Sequence, residues 1–414
     1  MKILRVVSDL YPSVVGGIGL HAHEMSHLQA RNGHDVTVMT FRTDTSQFLI
    51  EKRDGYRLVR SDAPFQIFGN TISFSLFFQL LRCWNSYDIV HAHSHMFFST
   101  LLCALARKFR KSPLVVTNHG LVSQTAPGWL QRFYIPTMGK WVFQSADAII
   151  CYTEIERSQV IDLGVSPSRI HVIHNGIDTD VFVPSASCNP KKQILWIGRF
   201  APGKGVEYLL KGFQIFAREH PDYTLMMVGS GPLRDKFIKS IREGGLEDKI
   251  VLREFVPNDE LLGLYHDSCL FVLSSLEEGV PRTILEAMAC ARPVVCTELP
   301  QLIDVVGRCG ILIPLKNSEA LAGALSKIVC NPRIARALGN SGRNNVVSRY
   351  SWDDTVCKTL RLYESLVRSC SPGDQISEVR NPREDQEKRP GSHDSERIGC
   401  HRELAPYQSR GERR

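Results

Sequence analysis

At 414 residues, 43% hydrophobic and 22% charged, the chain is too long for one ordinary core and too apolar for wholesale disorder. A formal net charge of +7 permits attraction to phosphate or anionic lipid but falls short of a dedicated nucleic-acid binder, so no nucleic-acid partner is expected. No stretch approaches the roughly eighteen apolar residues that span a bilayer, and twelve cysteines without a Cys-x-x-Cys pair argue against a zinc site or a disulfide framework.

Residues 1–9 carry Arg5 and Asp9 where a signal peptide needs its apolar run. They read as a first strand, and a cytoplasmic, reducing setting is expected. From there to about residue 368, short β-branched runs alternate with amphipathic stretches, which predicts α/β architecture with parallel sheets. Residues 3–8 form a buried strand, Gly16-Gly17-Ile18-Gly19 a flexible turn, 20–32 a helix closed by Gly33, and 36–40 the next strand. The plan repeats with a strand over 194–198, a turn over 199–205, a helix over 206–220 and a strand over 223–228. Each repeat looks like the opening of a Rossmann-type domain, with glycine at the turn so that backbone can approach a ligand. Pro184, Ser185, Ser187, Asn189 and Pro190 mark a linker near 181–193. Trp352, Val356, Leu360, Tyr363 and Leu366 have helical spacing. Residues 371–414 hold acidic and basic groups in equal number and almost no large apolar ones, a composition that predicts disorder.

Several motifs tempt and fail. His23-Glu24-Met25-Ser26-His27 matches the HExxH zinc pattern, but no third ligand follows and the match falls on the first helix of a Rossmann unit. His91, His93 and His95 alternate along a strand; His93 and His95 are expected at its carboxyl end, lining a cleft. Asp178-Thr179-Asp180 matches the DxD of metal-dependent sugar transferases, yet it follows the turn-like run His174-Asn175-Gly176-Ile177 and reads as structural. Residues 198–204 keep the spacing of a phosphate loop as far as Lys204, but Gly205 offers no hydroxyl to Mg²⁺. A phosphate-binding turn is expected there, and an NTPase is not. No metal site is expected.

Chemistry concentrates after the buried strand at 270–274. Pro281 suits the first turn of a helix, because its missing N–H would have no partner there. The N–H groups around Gly279, Val280 and Thr283 then point beyond the strand's carboxyl end, a ready anion site. Glu278 lies in the loop and Glu286 about two turns further along the helix. Two surface acids at a helix start would give the same pattern.

Gly16-Gly17 with His21, Glu24 and Gly33-His34-Asp35-Val36 forms one block. Asp88-Ile89-Val90-His91-Ala92-His93, Thr117-Asn118-His119-Gly120 and Asn175-Gly176-Ile177-Asp178 follow it. Gly198-Arg199-Phe200 with Lys204-Gly205, then Gly229-Ser230-Gly231-Pro232, then the E-x7-E of Glu278 and Glu286 complete the set. In order and spacing these blocks resemble the retaining glycosyltransferases of family 4, over about residues 1–368. The resemblance implies the GT-B fold: two Rossmann-like doubly wound α/β domains facing a central cleft. They would be an acceptor domain over 1–182 and a nucleotide-sugar donor domain over 191–350, with a helix over 351–368 packing back on the first.

The resemblance also implies roles. Arg199 and Lys204 would hold the donor's diphosphate, the Arg through its planar fork and the Lys as a point charge. Glu286 would bind the ribose hydroxyls and Glu278 would lie against the donor sugar. The base is expected over the turn Phe255-Val256-Pro257, Gly16-Gly17 would close on the diphosphate, and His119 would face the donor sugar. Gly229, Gly279 and Val280 belong to the same donor site. The donor would be UDP- or GDP-linked, a substrate rather than a cofactor. Transfer would retain configuration without a metal, and the acceptor would be a glycan or a lipid. Two departures from the pattern stand out: Thr297-Glu298-Leu299-Pro300 replaces a Gly-Gly turn, and Ala291 stands where the family has glycine. A nucleotide-sugar epimerase and a non-catalytic scaffold on the same fold are the rivals.

Residues 101–146 carry Arg107, Lys108, Arg110, Lys111, Arg132 and Lys140, no acid, and aromatics including Phe109, Trp129, Phe133 and Phe143. Basic groups beside aromatics predict peripheral contact with an anionic membrane. A solvated helix end beside core aromatics is the plainer alternative.

Overall fold

Fully buried runs of Val, Ile and Leu become the strands, because parallel strands are covered on both faces. The computed structural model describes residues 1–370 except 9, 11–16, 43–48, 63–64, 68–69, 123–125, 186–189 and 255. Gly16, Phe255, part of the expected linker and the tail over 371–414 therefore lie outside the described residues. The first strands in chain order are β1 (Lys2–Val6), β2 (Asp35–Phe41), β3 (Ile50–Arg53), β4 (Tyr56–Ser61), β5 (Phe65–Ile67) and β6 (Asn70–Ile72). Then come β7 (Ile89–His93), β8 (Leu114–Thr117), β9 (Ala148–Cys151) and β10 (Ile170–Val172). The remainder are β11 (Lys191–Ile197), β12 (Thr224–Val228), β13 (Ile250–Arg253), β14 (Ser268–Leu273), β15 (Val294–Thr297) and β16 (Ile311–Ile313). Because β11 starts at Lys191, the linker is shorter at its end than the Pro and Ser cluster suggests.

Two large sheets result. The first has the order β10-β9-β8-β7-β1-β2-β4-β3, the second β13-β12-β11-β14-β15-β16. All neighbours pair in parallel except β3 with β4. The β3–β4 hairpin departs from the expected all-parallel plan. Its sequence signal is Asp54-Gly55, whose φ angles of 45° and 90° suit the tight two-residue turn that antiparallel neighbours need. Both large sheets reverse direction of growth at their middle, between β1 and β7 and between β11 and β14. In such sheets a crevice opens at the carboxyl ends of the two diverging strands.

Two glycines make the second crevice possible. Gly205 has φ 58°, and a Cβ there would stand 2.1 Å from the Ser274 carbonyl oxygen. That contact lets the turn carrying Lys204 lie directly on the loop after β14. Gly229, with φ 145°, would place a Cβ 1.8 Å from the Gly198 oxygen, so its role in the structure is close passage of two backbones.

The last helix, Trp352–Cys370, returns to the first sheet. Leu360, Leu362 and Tyr363 pack with Ile3, Val36 and Ile89. Underneath, fully buried Arg5 donates to Ser26 Oγ at 2.9 Å, Gln29 Oε1 at 3.0 Å and Tyr363 OH at 3.3 Å. A buried charge is tolerated when most of its donors are satisfied; here those bonds, which leave only Nε without a hydrogen-bond partner among the described residues, join β1, the helix Gly17–Arg31 and the last helix. No described helix is long and apolar enough to cross a membrane.

Candidate functional site

A cavity of about 750 Å³ lies where the carboxyl ends of the two sheets meet, within the usual size of a small-molecule site. The first sheet contributes Gly17 after β1, Ser94, Met96 and Phe97 after β7, His119 after β8, Tyr152 after β9 and Asn175 after β10. The second contributes Gly198 and Lys204 after β11, and Glu277 to Thr283 after β14. Glu286, one face of the next helix and Leu299-Pro300-Gln301 complete it. The substituted segment after Thr297 is thus part of the wall.

Lys204 and Glu278 form the central ion pair, Nζ to Oε1 at 2.5 Å, with side chains 12% and 7% exposed. Ser275 Oγ donates to the same Glu278 oxygen at 2.7 Å. The ammonium keeps further N–H donors for a ligand. Glu286 is buried, accepts from Tyr265 OH at 2.8 Å, and has its carboxyl pushed above the usual range by desolvation. The helix Arg282–Ala289 begins directly after Pro281, so its free N–H groups border the cavity.

On the opposite wall, His119 is held by both ring nitrogens. Nε2 lies 3.1 Å from His93 Nδ1 and Nδ1 lies 3.2 Å from Tyr152 OH. Burial lowers its pKa to about 3, and burial keeps the Tyr152 hydroxyl protonated. His119 is therefore a neutral, fixed wall with no ring nitrogen free for proton transfer. Its main-chain carbonyl lies on the side of Gly279, 3.7 Å from where a Cβ would be.

The structure brings together Gly17, His119, Lys204, Glu278, Gly279, Val280 and Glu286. Three expected residues are not among those lining the cavity. Arg199 follows β11 with an exposed side chain; of the expected cation pair only Lys204 faces the cavity. Val256 is buried in an apolar cluster with Leu261 and Tyr265, and Leu261 reaches the cavity in its place. Gly229 serves the backbone crossing described above. His93 and His95 also differ from expectation: both are fully buried, His93 behind His119 and His95 against the Phe143 ring at 4.7 Å. Tyr152, Arg282 and Gln301 were legible only as unremarked residues of their segments, because no spacing rule links them to the other wall.

The metal-like motifs resolve into structure. His23 Nδ1 is 2.9 Å from Tyr56 OH, and Asp178 Oδ1 caps its own turn by accepting from the N–H groups of Asp180 and Val181. Among the described residues no group of three or more His, Cys, Asp or Glu is placed to hold a metal ion.

With the geometry in hand, comparison with known proteins defines the class. Residues 15–181 match the model of Glycosyltransferase Family 4 and residues 191–331 that of Glycosyl transferases group 1. The chain belongs to the family 4-type glycosyltransferases. It is 27% identical over 399 residues to glycogen synthase of Mycobacterium tuberculosis, spanning 89% of this chain and 95% of that one. It is 24% identical over 384 residues to the GDP-mannose:cellobiosyl-diphosphopolyprenol alpha-mannosyltransferase of Xanthomonas oryzae, 89% and 97% of the two chains. Among solved structures, sucrose-phosphate synthase of Thermosynechococcus elongatus aligns with a TM-score of 0.76 at 22% identity, covering 89% of this chain and all of that one. HepE of Anabaena, in complex with UDP-glucose, aligns with a TM-score of 0.72 at 19% identity, covering 89% and 100%. The fold is GT-B.

Proposed function

We propose that the protein transfers a sugar from a nucleoside-diphosphate donor to an acceptor hydroxyl, with retention of configuration and without a metal. The observation that carries this is the Lys204–Glu278 pair at the N-terminal end of the helix bearing Glu286, facing the neutral His119 wall. Cation and helix N–H groups together favour the charge that develops on a departing diphosphate. His119 and Tyr152 keep their protons fixed, so among the described residues no side chain on that wall serves as base. The leaving diphosphate itself takes the acceptor's proton on the face it vacates, which forms the new glycosidic bond with retention. Glu286, with one oxygen on Tyr265, offers its carboxylate to the ribose hydroxyls, and the exposed Arg199 is kept as a second contact to the diphosphate.

We infer an amphiphilic acceptor, supported by exposed aromatics a few residues along the chain from a cavity-lining stretch. Trp129 and Phe133 are 64% and 71% exposed, lie four residues apart on the helix Gly128–Tyr134, and follow the cavity-lining stretch that ends at Val122. The basic cluster over 107–111 contributes less than its sequence suggests. Arg107 is paired in two-pronged fashion with Asp147 and Arg110 is tied to the Leu81 carbonyl.

Incubation with a panel of UDP- and GDP-sugars, with and without acceptor and EDTA, tests the reading. An α-configured product made in EDTA from an α-donor is expected. An isomerised free donor would favour the epimerase, an inverted product would refute retention, and restoration by Mn²⁺ would refute metal independence.

A further inference from the structure

Lys204 and Arg282 are the lysine and arginine among the described residues lining the cavity, and they are not equally available. Lys204 is hydrogen-bonded to a carboxylate. Arg282 is not: its Nε stands 3.6 Å from Glu286 Oε1, beyond hydrogen-bond reach. Beyond that ion pair, its Nε and Nη1 are buried without a hydrogen-bond partner among the described residues, in a side chain only 12% exposed. A guanidinium stripped of water and left half-satisfied is unfavourable unless an anion completes it.

The surroundings suit one. Arg282 opens its helix, and Gly17 opens the helix Gly17–Arg31 on the other wall. Both line the same cavity, so two positive helix ends face it. The charge of Arg282 acts on His21 and Glu24 of that second helix. Glu286 steadies the guanidinium at 3.6 Å without saturating it.

We propose that Arg282 is a donor-binding residue that takes an oxygen of the diphosphate, alongside Lys204, where the two helix N-termini converge. This rests on the nucleotide-sugar reading above. The planar guanidinium matches the paired oxygens of a diphosphate in a way an ammonium does not.

Calorimetric titration of the full chain with UDP, GDP, uridine and guanosine tests it. The wild-type protein is expected to bind one diphosphate more tightly than its nucleoside. Arg282→Ala should weaken that diphosphate at least tenfold and leave the nucleoside unchanged, with Arg282→Lys recovering part of the loss. Unchanged diphosphate affinity overturns the assignment, and so does an equal loss for nucleoside and diphosphate. Glu24→Gln checks the carboxylate on the second helix that feels the Arg282 charge: a loss equal to that of Arg282→Ala would assign the guanidinium to Glu24 and overturn the diphosphate contact. If the wild-type protein binds neither diphosphate, the donor reading itself fails, a result distinct from all the others.

Discussion

Lys204 owes its position to a neighbour without a side chain. Gly205, in the left-handed region at φ 58°, presses the turn against Ser274 and leaves the ammonium 2.5 Å from Glu278. On the proposed reading Lys204→Ala removes a charge from the leaving diphosphate, and it also strands a carboxylate that is 7% exposed. Loss of one such stabilising donor commonly costs about 3 kcal/mol, or about a hundredfold in rate. Steady-state kinetics should therefore show kcat for transfer falling about a hundredfold; wild-type turnover would take Lys204 out of the reaction. Glu286→Gln should act differently. The ribose contact proposed for Glu286 is made equally before and during reaction, so donor KM should rise while kcat stays close to wild type.

At the scale of elements, the helix Arg282–Ala289 ends unusually. After its cap at Cys290, Ala291 holds φ 52°, a conformation that costs a residue with a Cβ about 1–2 kcal/mol. The family's glycine at this position has a physical reason. Ala291→Gly should release that strain, offset in part by the greater freedom of glycine in the unfolded chain. A net gain of roughly 0.5–1 kcal/mol is expected, read from the urea midpoint. No gain would mean that the alanine is accommodated without strain. The helix Gly128–Tyr134 gives a second prediction at this scale. Trp129→Ser with Phe133→Ser should reduce co-sedimentation with anionic vesicles without changing the unfolding midpoint, because both rings are exposed. Equal recovery of the variant and the wild type would detach this helix from the acceptor proposal.

Across the whole molecule, burial sets the response to acid. His21, His91, His93, His95 and His119 are all held below the ordinary imidazole range, first by desolvation. The unfolded chain protonates them as pH falls through about 6.5, while the folded chain stays neutral, so stability falls on acidification below that pH. Glu24, Glu156 and Glu286 act in the opposite sense. Burial raises all three, Glu156 to about 7. Between about pH 4.5 and 7 the folded chain keeps the Glu156 proton that the unfolded chain has released, and Glu24 and Glu286 shift in the same direction above pH 4.5, so all three favour the fold on the acid side. Five imidazoles outweigh three carboxyls. The urea midpoint should drop steadily from pH 6.5 to 5; a flat profile would mean that the imidazoles titrate inside the fold.

The sequence alone determined the alternation of strands and helices, the family, and the placing of Lys204 and Glu278 in loops and of Glu286 on the helix that follows. Those features are local: a buried strand announces itself in its own β-branched residues, and a helix start in its proline and glycine. Asp54-Gly55 was equally legible as a tight turn, although the hairpin it makes was not part of the expected parallel plan. Only the tertiary structure decided which side chains face one another. It set Arg199 outside the cavity lining, closed both nitrogens of His119 with His93 and Tyr152, and put Arg282 and Glu24 within electrostatic reach. Those relations join residues that follow different strands of one sheet, 26 and 33 positions apart, or residues on the two different sheets. No periodicity encodes them, because they arise when the carboxyl ends of two separately wound sheets border one cavity.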